Sequence, residues 1–157
     1  SKIISLGFEK IIFNDAFYSN LDLIKKFSDD YGSQAVVLRA NILSLGKNYK
    51  ILDHKNLKII DDNIDSFFEK FNKINASEIS LIITNLDGSF NGPDLNLISQ
   101  VKKLTDRHIV YSGGISKISD FKDCFNAGAN AVITNNFFIM KKINSGIVFS
   151  NPKEVSF

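Results

Sequence analysis

Apolar runs that do not alternate with polar residues, each followed by an amphipathic stretch, most constrain what this chain can become. Residues 10–13, 35–38, 79–83, 108–111 and 131–134 read as five such strands. A strand wetted on one face alternates, whereas one covered on both faces is apolar throughout, and helix-length connections between such runs permit parallel pairing. Helices are predicted over 20–31, with Leu21, Ile24, Phe27 and Tyr31 on one stripe, and around Ile64, Phe67, Phe68 and Phe71. Two more follow over 94–104 and 118–126, and a short helical segment comes after the last strand. Asn20 is suited to start the first helix and Gly32 to end it. Only the stretch 43–60 departs from this rhythm: residues 49–52 and 57–60 flank Asp53-His54-Lys55-Asn56 and read as a small hairpin. The class is α/β with a parallel sheet.

Leu6-Gly7-Phe8-Glu9-Lys10-Ile11-Ile12-Phe13-Asn14 shares its plan with Ala127-Gly128-Ala129-Asn130-Ala131-Val132-Ile133-Thr134-Asn135. Both pass from a helix end through glycine into an apolar strand that ends in Asn. One supersecondary unit repeated four strands apart is the mark of a barrel built from βα units, and an open doubly wound sheet requires no such echo. A complete (β/α)₈ TIM barrel takes about 250 residues, and this chain has 157. We therefore expect an incomplete barrel of about five βα units, a single partial domain over residues 1–157 with its N-terminal strands missing. Residues 1–6, ahead of Gly7, read as the last turns of a helix. Such a piece would leave two sheet edges unpaired.

With 44% hydrophobic and 23% charged residues the chain has enough apolar material for a packed core. Its net charge of +2 is spread without a basic block, which argues against nucleic acid as a partner. No stretch of 18 apolar residues and no signal-peptide pattern occurs, so no membrane is expected and the cytoplasm is the default compartment. Cys124 has no second cysteine to pair with, and His54, His108 and Cys124 lack metal-ligand spacing; neither a metal nor another cofactor is expected.

The segment Gly7-Phe8-Glu9-Lys10-Ile11-Ile12-Phe13-Asn14 resembles the fourth strand of the cyclase subunit of imidazole glycerol phosphate synthase. Tyr31-Gly32-Ser33-Gln34-Ala35-Val36-Val37 is similar to that family's entry into the fifth strand. Asn85-Leu86-Asp87-Gly88-Ser89-Phe90-Asn91-Gly92-Pro93-Asp94 resembles the loop after the sixth, Ser112-Gly113-Gly114 the loop after the seventh, and Ala127-Gly128-Ala129 the approach to the last strand. In order, these motifs cover nearly the whole chain.

The resemblance implies a (β/α)₈ barrel that closes an imidazole ring from a ribonucleotide with two phosphate ends, using ammonia from a partner glutaminase subunit. It implies two catalytic aspartates, one on a first strand that lies outside this chain and one at the end of the fifth. Asn41 stands at the latter position, and an amide does not exchange a proton as a carboxylate does. Asp87 falls where the family places an acid facing substrate, although Asp87-Gly88 is also a common turn dipeptide; Asn85 replaces the other acid of that loop. Gly113 and Gly114 correspond to a phosphate cradle, closed by Asn135 and Asn136, with Asn136 in place of a small hydroxyl residue; the plain alternative is a structural turn. Lys10 and Glu78, on the opposite face, correspond to a charged gate on the ammonia path, the alternative being two solvated charges. The tail Ser145-Gly146-Ile147-Val148-Phe149-Ser150-Asn151-Pro152 is closer to relatives found with surface-polysaccharide sugar amidation. Two further expectations therefore stand beside the cyclase: a paralogue with a decayed cyclase site that passes ammonia to a sugar amidotransferase, and an inactive fragment or interaction module.

Overall fold

The computed structural model describes residues 2–14, 16–53, 55–56, 58–143 and 146–149. Strand β1 (Ile11–Phe13) pairs in parallel with β2 (Val36–Leu45). The far end of β2 runs on into an antiparallel pairing with β3 (Asn48–Asp53), which turns back into β4 (Lys58–Asp61). On its other side β2 pairs in parallel with β5 (Glu78–Ile83), β5 with β6 (His108–Ser112), and β6 with β7 (Ala131–Ile133). The parallel order β1-β2-β5-β6-β7 follows the chain without reversal, so there is no topological switch point. This is the strand order of an incomplete (β/α)₈ barrel. The antiparallel β3–β4 pair is the hairpin expected within 43–60, with Leu52 opposite Ile59; His54 and Leu57 lie outside the described residues.

The helices are α1 (Lys2–Ser5), α2 (Ala16–Ser19), α3 (Leu21–Tyr31), α4 (Ile64–Phe71), α5 (Leu95–Leu104), α6 (Ile118–Ala127) and α7 (Asn136–Ile139). Three of them start where a short polar side chain takes up a free N–H: Asn20 accepts from Leu23 at 3.0 Å, Asn63 from Asp65 at 2.8 Å, and Asp94 from Leu97 at 3.0 Å. Gly128 closes α6 at φ 114, and Gly7 after α1 has φ 91, so the repeated helix–glycine–strand plan is realised at both places. A second hairpin, β8 (Met140–Ile143) with β9 (Gly146–Phe149), follows α7. Of the tail motif, residues 145 and 150–152 lie outside the described residues.

Strand alternation sorts the residues into two faces. Val36, Leu38, Ala40 and Ile42 of β2 join Ile79, Leu81 and Ile83 of β5 and Ile109 and Tyr111 of β6 in a core with the helices, where Ile24, Phe27, Phe67, Phe68 and Val101 meet them. The other face, the inner face of the barrel, carries Ile12, Val37, Arg39, Asn41, Glu78, Ser80, Val110 and Ser112. Two expectations need correction. Ala35 belongs to a 3₁₀ turn (Ser33–Ala35) ahead of β2, and the strand continues to Leu45 because a partner strand is there to pair with. Leu21, placed on one stripe with Ile24 and Phe27, is the first residue of α3 and is 51% exposed, whereas the other two, in later turns, are buried.

Candidate active site at the carboxyl ends of the strands

Parallel strands deliver the residues that follow them to one rim, and three of the expected site segments meet there. Asp87 and Gly88 after β5, Gly113 and Gly114 after β6, and Asn136 after β7 line one small cleft. Its cavity of about 10 Å³ is room for one water molecule. Asn135 is exposed beside it and is not among the lining residues. Asp87 is exposed; the N–H of Ser89 donates to Leu86 at 3.0 Å, and Gly88 has φ 71, so Asp87 is also part of a tight turn. A side-chain carbon on Gly88 would stand 2.8 Å from Nδ2 of Asn136, which shows how closely the loops after β5 and β7 meet.

The two glycines serve packing as well as any ligand. Gly113 has φ 132 and Gly114 φ 77, and the N–H of Gly92 donates to Gly114 at 2.8 Å. A Cβ at Gly114 would lie 2.1 Å from the Gly92 carbonyl oxygen, so a side chain is excluded by backbone. The start of α6 is already supplied with an anion: buried Asp120 accepts from the N–H of Ser116 at 2.8 Å, its hydroxyl at 2.9 Å and the N–H of Lys117 at 3.1 Å. The N-terminus of α6 is thus already occupied by a side chain of the same helix.

Asn41 lies apart from that cleft. It is 5% exposed in the middle of β2, near the end of the part that pairs in parallel, and its Nδ2 donates at 2.7 Å to Oδ1 of Asn14, which follows β1. Asn85 is also engaged, accepting from the N–H of Ser44 at 3.0 Å and donating to its carbonyl at 2.8 Å. At the opposite rim Lys10 and Glu78 form an ion pair. Lys10 immediately precedes β1 and Glu78 opens β5, the strands that flank β2 on either side, so the pair spans the entrance of that strand. A recess of about 540 Å³ between the hairpin, the start of α4 and Gln100 of α5 contains none of these residues.

Two inner-face groups were not singled out from sequence. Arg39 has a buried Nε with no hydrogen-bond partner among the described residues, and neither does the hydroxyl of Ser80, its register neighbour, which is 1% exposed. The available signal was a charge in the middle of an otherwise apolar strand. Cys124 is buried, and desolvation first, with Asp120 and Asp123 nearby, pushes its thiol pKa up to about 12. His108 opens β6 and is exposed. Among the described residues no group of three or more His, Cys, Asp or Glu side chains is placed to hold a metal ion, and no helix is long and apolar enough to cross a membrane.

A family model described as "Histidine biosynthesis protein" matches residues 1–144. Among curated proteins the chain is 32% identical to an imidazole glycerol phosphate synthase subunit HisF of Clostridium botulinum, over 99% of this chain and 62% of that protein. It is 31% identical to the HisF subunit of Sulfolobus acidocaldarius, over 77% and 49%, and 30% identical to that of Petrotoga mobilis, over 87% and 55%. The chain thus spans about half to three-fifths of the length of these relatives.

Proposed function

The chain belongs to the histidine biosynthesis protein family, and from that premise we propose that it forms the later βα units of a cyclase subunit that builds imidazole glycerol phosphate with ammonia from a glutaminase. The observation that carries this reading is the convergence of Asp87, Gly113, Gly114 and Asn136 at the carboxyl ends of three consecutive parallel strands, the face on which TIM-barrel enzymes place their chemistry. Asp87 is the proton-transferring group of this half of the site. The amides of the glycine loop hold one phosphate end of the substrate, and Asn136 withdraws from Gly88 to admit it. The glutaminase docks at the amino-terminal rim, where Lys10 and Glu78 gate ammonia entry. The setting is the cytoplasm, and the substrate is a phosphorylated small molecule.

A specific observation favours a second reading, a paralogue in which cyclisation has decayed while ammonia handling persists. Asn41 holds the amide of Asn14 where the resemblance expects a carboxylate, and one general acid or base commonly contributes about 10²–10⁴-fold to rate. Cyclisation should be measured with free ammonium as nitrogen source, which removes dependence on the partner. For the cyclase reading, Asp87→Asn is expected to lower the rate by about 10²-fold or more; an unchanged rate sinks it. Wild-type turnover on the order of 1 s⁻¹ or faster would sink the decayed-site reading, and a gain on Asn41→Asp would uphold it.

A further inference from the structure

The inner face of the sheet can be followed layer by layer through the strand register. The entrance layer contains Ile12, Val37, Glu78 and His108 as successive neighbours. The next inner-face layer consists of Arg39, Ser80, Val110 and Ala131. Above it lie Asn41, Ile82, Ser112 and Ile133. Charge is balanced in the entrance layer, where Glu78 is paired with Lys10. In the middle layer it is not: Arg39 has no acidic partner among the described residues, and beside it the Ser80 hydroxyl is also unpaired.

Both groups are expensive to leave in that condition. A guanidinium remains charged at any working pH and presents a planar fork of donors, and a buried hydroxyl without a hydrogen bond forfeits what it had in water. Their chemistry defines the missing partner. Arg39 and Ser80 are both able to donate, so the partner is an acceptor. Among the described residues Arg39 is the cation of this layer and Lys10 below it is paired with Glu78, so one unpaired charge calls for a monoanion, and Val110 and Ala131 in the same layer offer nothing to a larger polyanion. A carboxylate fits, one edge accepting two N–H bonds from the fork and one oxygen accepting from the hydroxyl. We propose that Arg39 and Ser80 form a binding site for a single carboxylate inside the barrel, one layer above the Lys10–Glu78 pair and one below Asn41. The site does not depend on the cyclase reading, because neither side chain belongs to the cleft at the strand ends.

The chain has two arginines, Arg39 and Arg107, and the second supplies an internal control because its Nη1 donates to the Ala76 carbonyl. In the ¹⁵N-arginine-labelled protein, sodium acetate added at constant ionic strength against sodium chloride is expected to shift the Arg39 Nε–H resonance saturably, leaving Arg107 in place. Ser80→Ala should weaken acetate roughly tenfold, the loss of one hydrogen bond to a charged group. Acetate should raise the melting temperature of the wild type but not of Arg39→Met, whose folding is checked by the unchanged Arg107 signal. If the Arg39 resonance already has the position and slow exchange of a carboxylate-bound guanidinium before any addition, and acetate does not displace it, the carboxylate is the protein's own side chain and the ligand site is overturned. Equal shifts with acetate and chloride, or fast exchange at Arg39 throughout, would overturn the proposal.

Discussion

Gly114 occupies a position where geometry leaves no choice of residue. Its φ of 77 disfavours any L side chain, and the Gly92 carbonyl stands where a Cβ would be. Gly114→Ala is therefore expected to destabilise the fold by about 2 kcal/mol or more, read as a lower urea midpoint; an unchanged midpoint would mean that the loop after β5 gives way freely. Because that substitution disturbs the fold, phosphate binding is better probed at Asn136, whose amide narrows the cleft against Gly88. Asn136→Ser should tighten binding of a phosphorylated ligand by widening the cup, and equal affinity in the two proteins would count against the cradle. Cys124 offers a further test. Its thiol is pushed up to about 12 by burial and by Asp120 and Asp123, so the folded state keeps it neutral. A raised folded-state pKa gives a contribution that is complete below the unfolded value of about 8.5 and is lost as pH climbs toward 12. A thiol reagent at pH 8 should accordingly label Cys124 only at the rate of unfolding; fast labelling of the folded protein would contradict its burial.

The hairpin of β3 and β4 is joined to the barrel by the β2–β3 ladder and by Tyr49 and Ile51 in the core, and a set of polar side chains adds to that attachment. Asn85 mimics one more strand residue, bonding both the N–H and the carbonyl of Ser44, while Asp94 accepts from Ser44 Oγ at 2.7 Å and Tyr49 OH at 3.2 Å. The backbone N–H of Asp94 in turn donates to Tyr111 OH at 2.8 Å. Asn85→Ala removes two of these bonds and should cost about 1–3 kcal/mol, with faster amide exchange confined to β3 and the end of β2; uniform acceleration across β5 and β6 would show that the hairpin is not a separate unit. Burial first, and then the Asp94 carboxylate, pushes Tyr49 up to about 12, so this attachment should hold below the ordinary tyrosine value and weaken as pH approaches 12. Much of the architecture was legible because its causes are local: Asn20, Asp94 and Gly128 mark helix ends within a turn of their own position, and uninterrupted apolar runs announce strands covered on both faces. The hairpin itself could be read from its two runs around Asp53. The extension of β2 to Leu45 could not: it pairs there with β3, and Asn85, 41 residues from Ser44, bonds that residue from another loop. Nor could the pairing of Asn41 with Asn14, or the lack of any partner for Arg39, because each depends on which strands become neighbours. Leu21 was misplaced for a related reason: periodicity identifies the apolar side of a helix but not which of its turns is covered.

At the scale of the whole molecule, the five parallel strands do not close on themselves among the described residues. β1 pairs only with β2 and β7 only with β6, leaving an edge at each side of the sheet. On the inner face Ile12 near one edge is 46% exposed and Ile133 near the other 42%. An unpaired edge displays N–H and carbonyl groups ready for another strand, and apolar side chains beside it add a driving force for association. Buried parallel strands are ordinarily covered on both faces, and on the inner face Ile12 and Ile133, beside the two edges, are the large apolar residues that lack such cover. The chain on its own is therefore expected to associate through this face in a concentration-dependent way, with apparent mass rising between low and high micromolar protein in light scattering. Lysine on an edge is a common natural safeguard against such pairing. Ile12→Lys and Ile133→Lys should each shift the chain toward monomer, and the double substitution should do so further, without loss of helical circular dichroism, because the core with the helices lies on the opposite face. Unaltered association in the double variant would place the contact elsewhere, with exposed Leu6 and Phe8 as the next surface to test. A monomer at every concentration would mean that the edges are protected in solution, and cooperative unfolding of that monomer would show that five βα units are a sufficient folding unit.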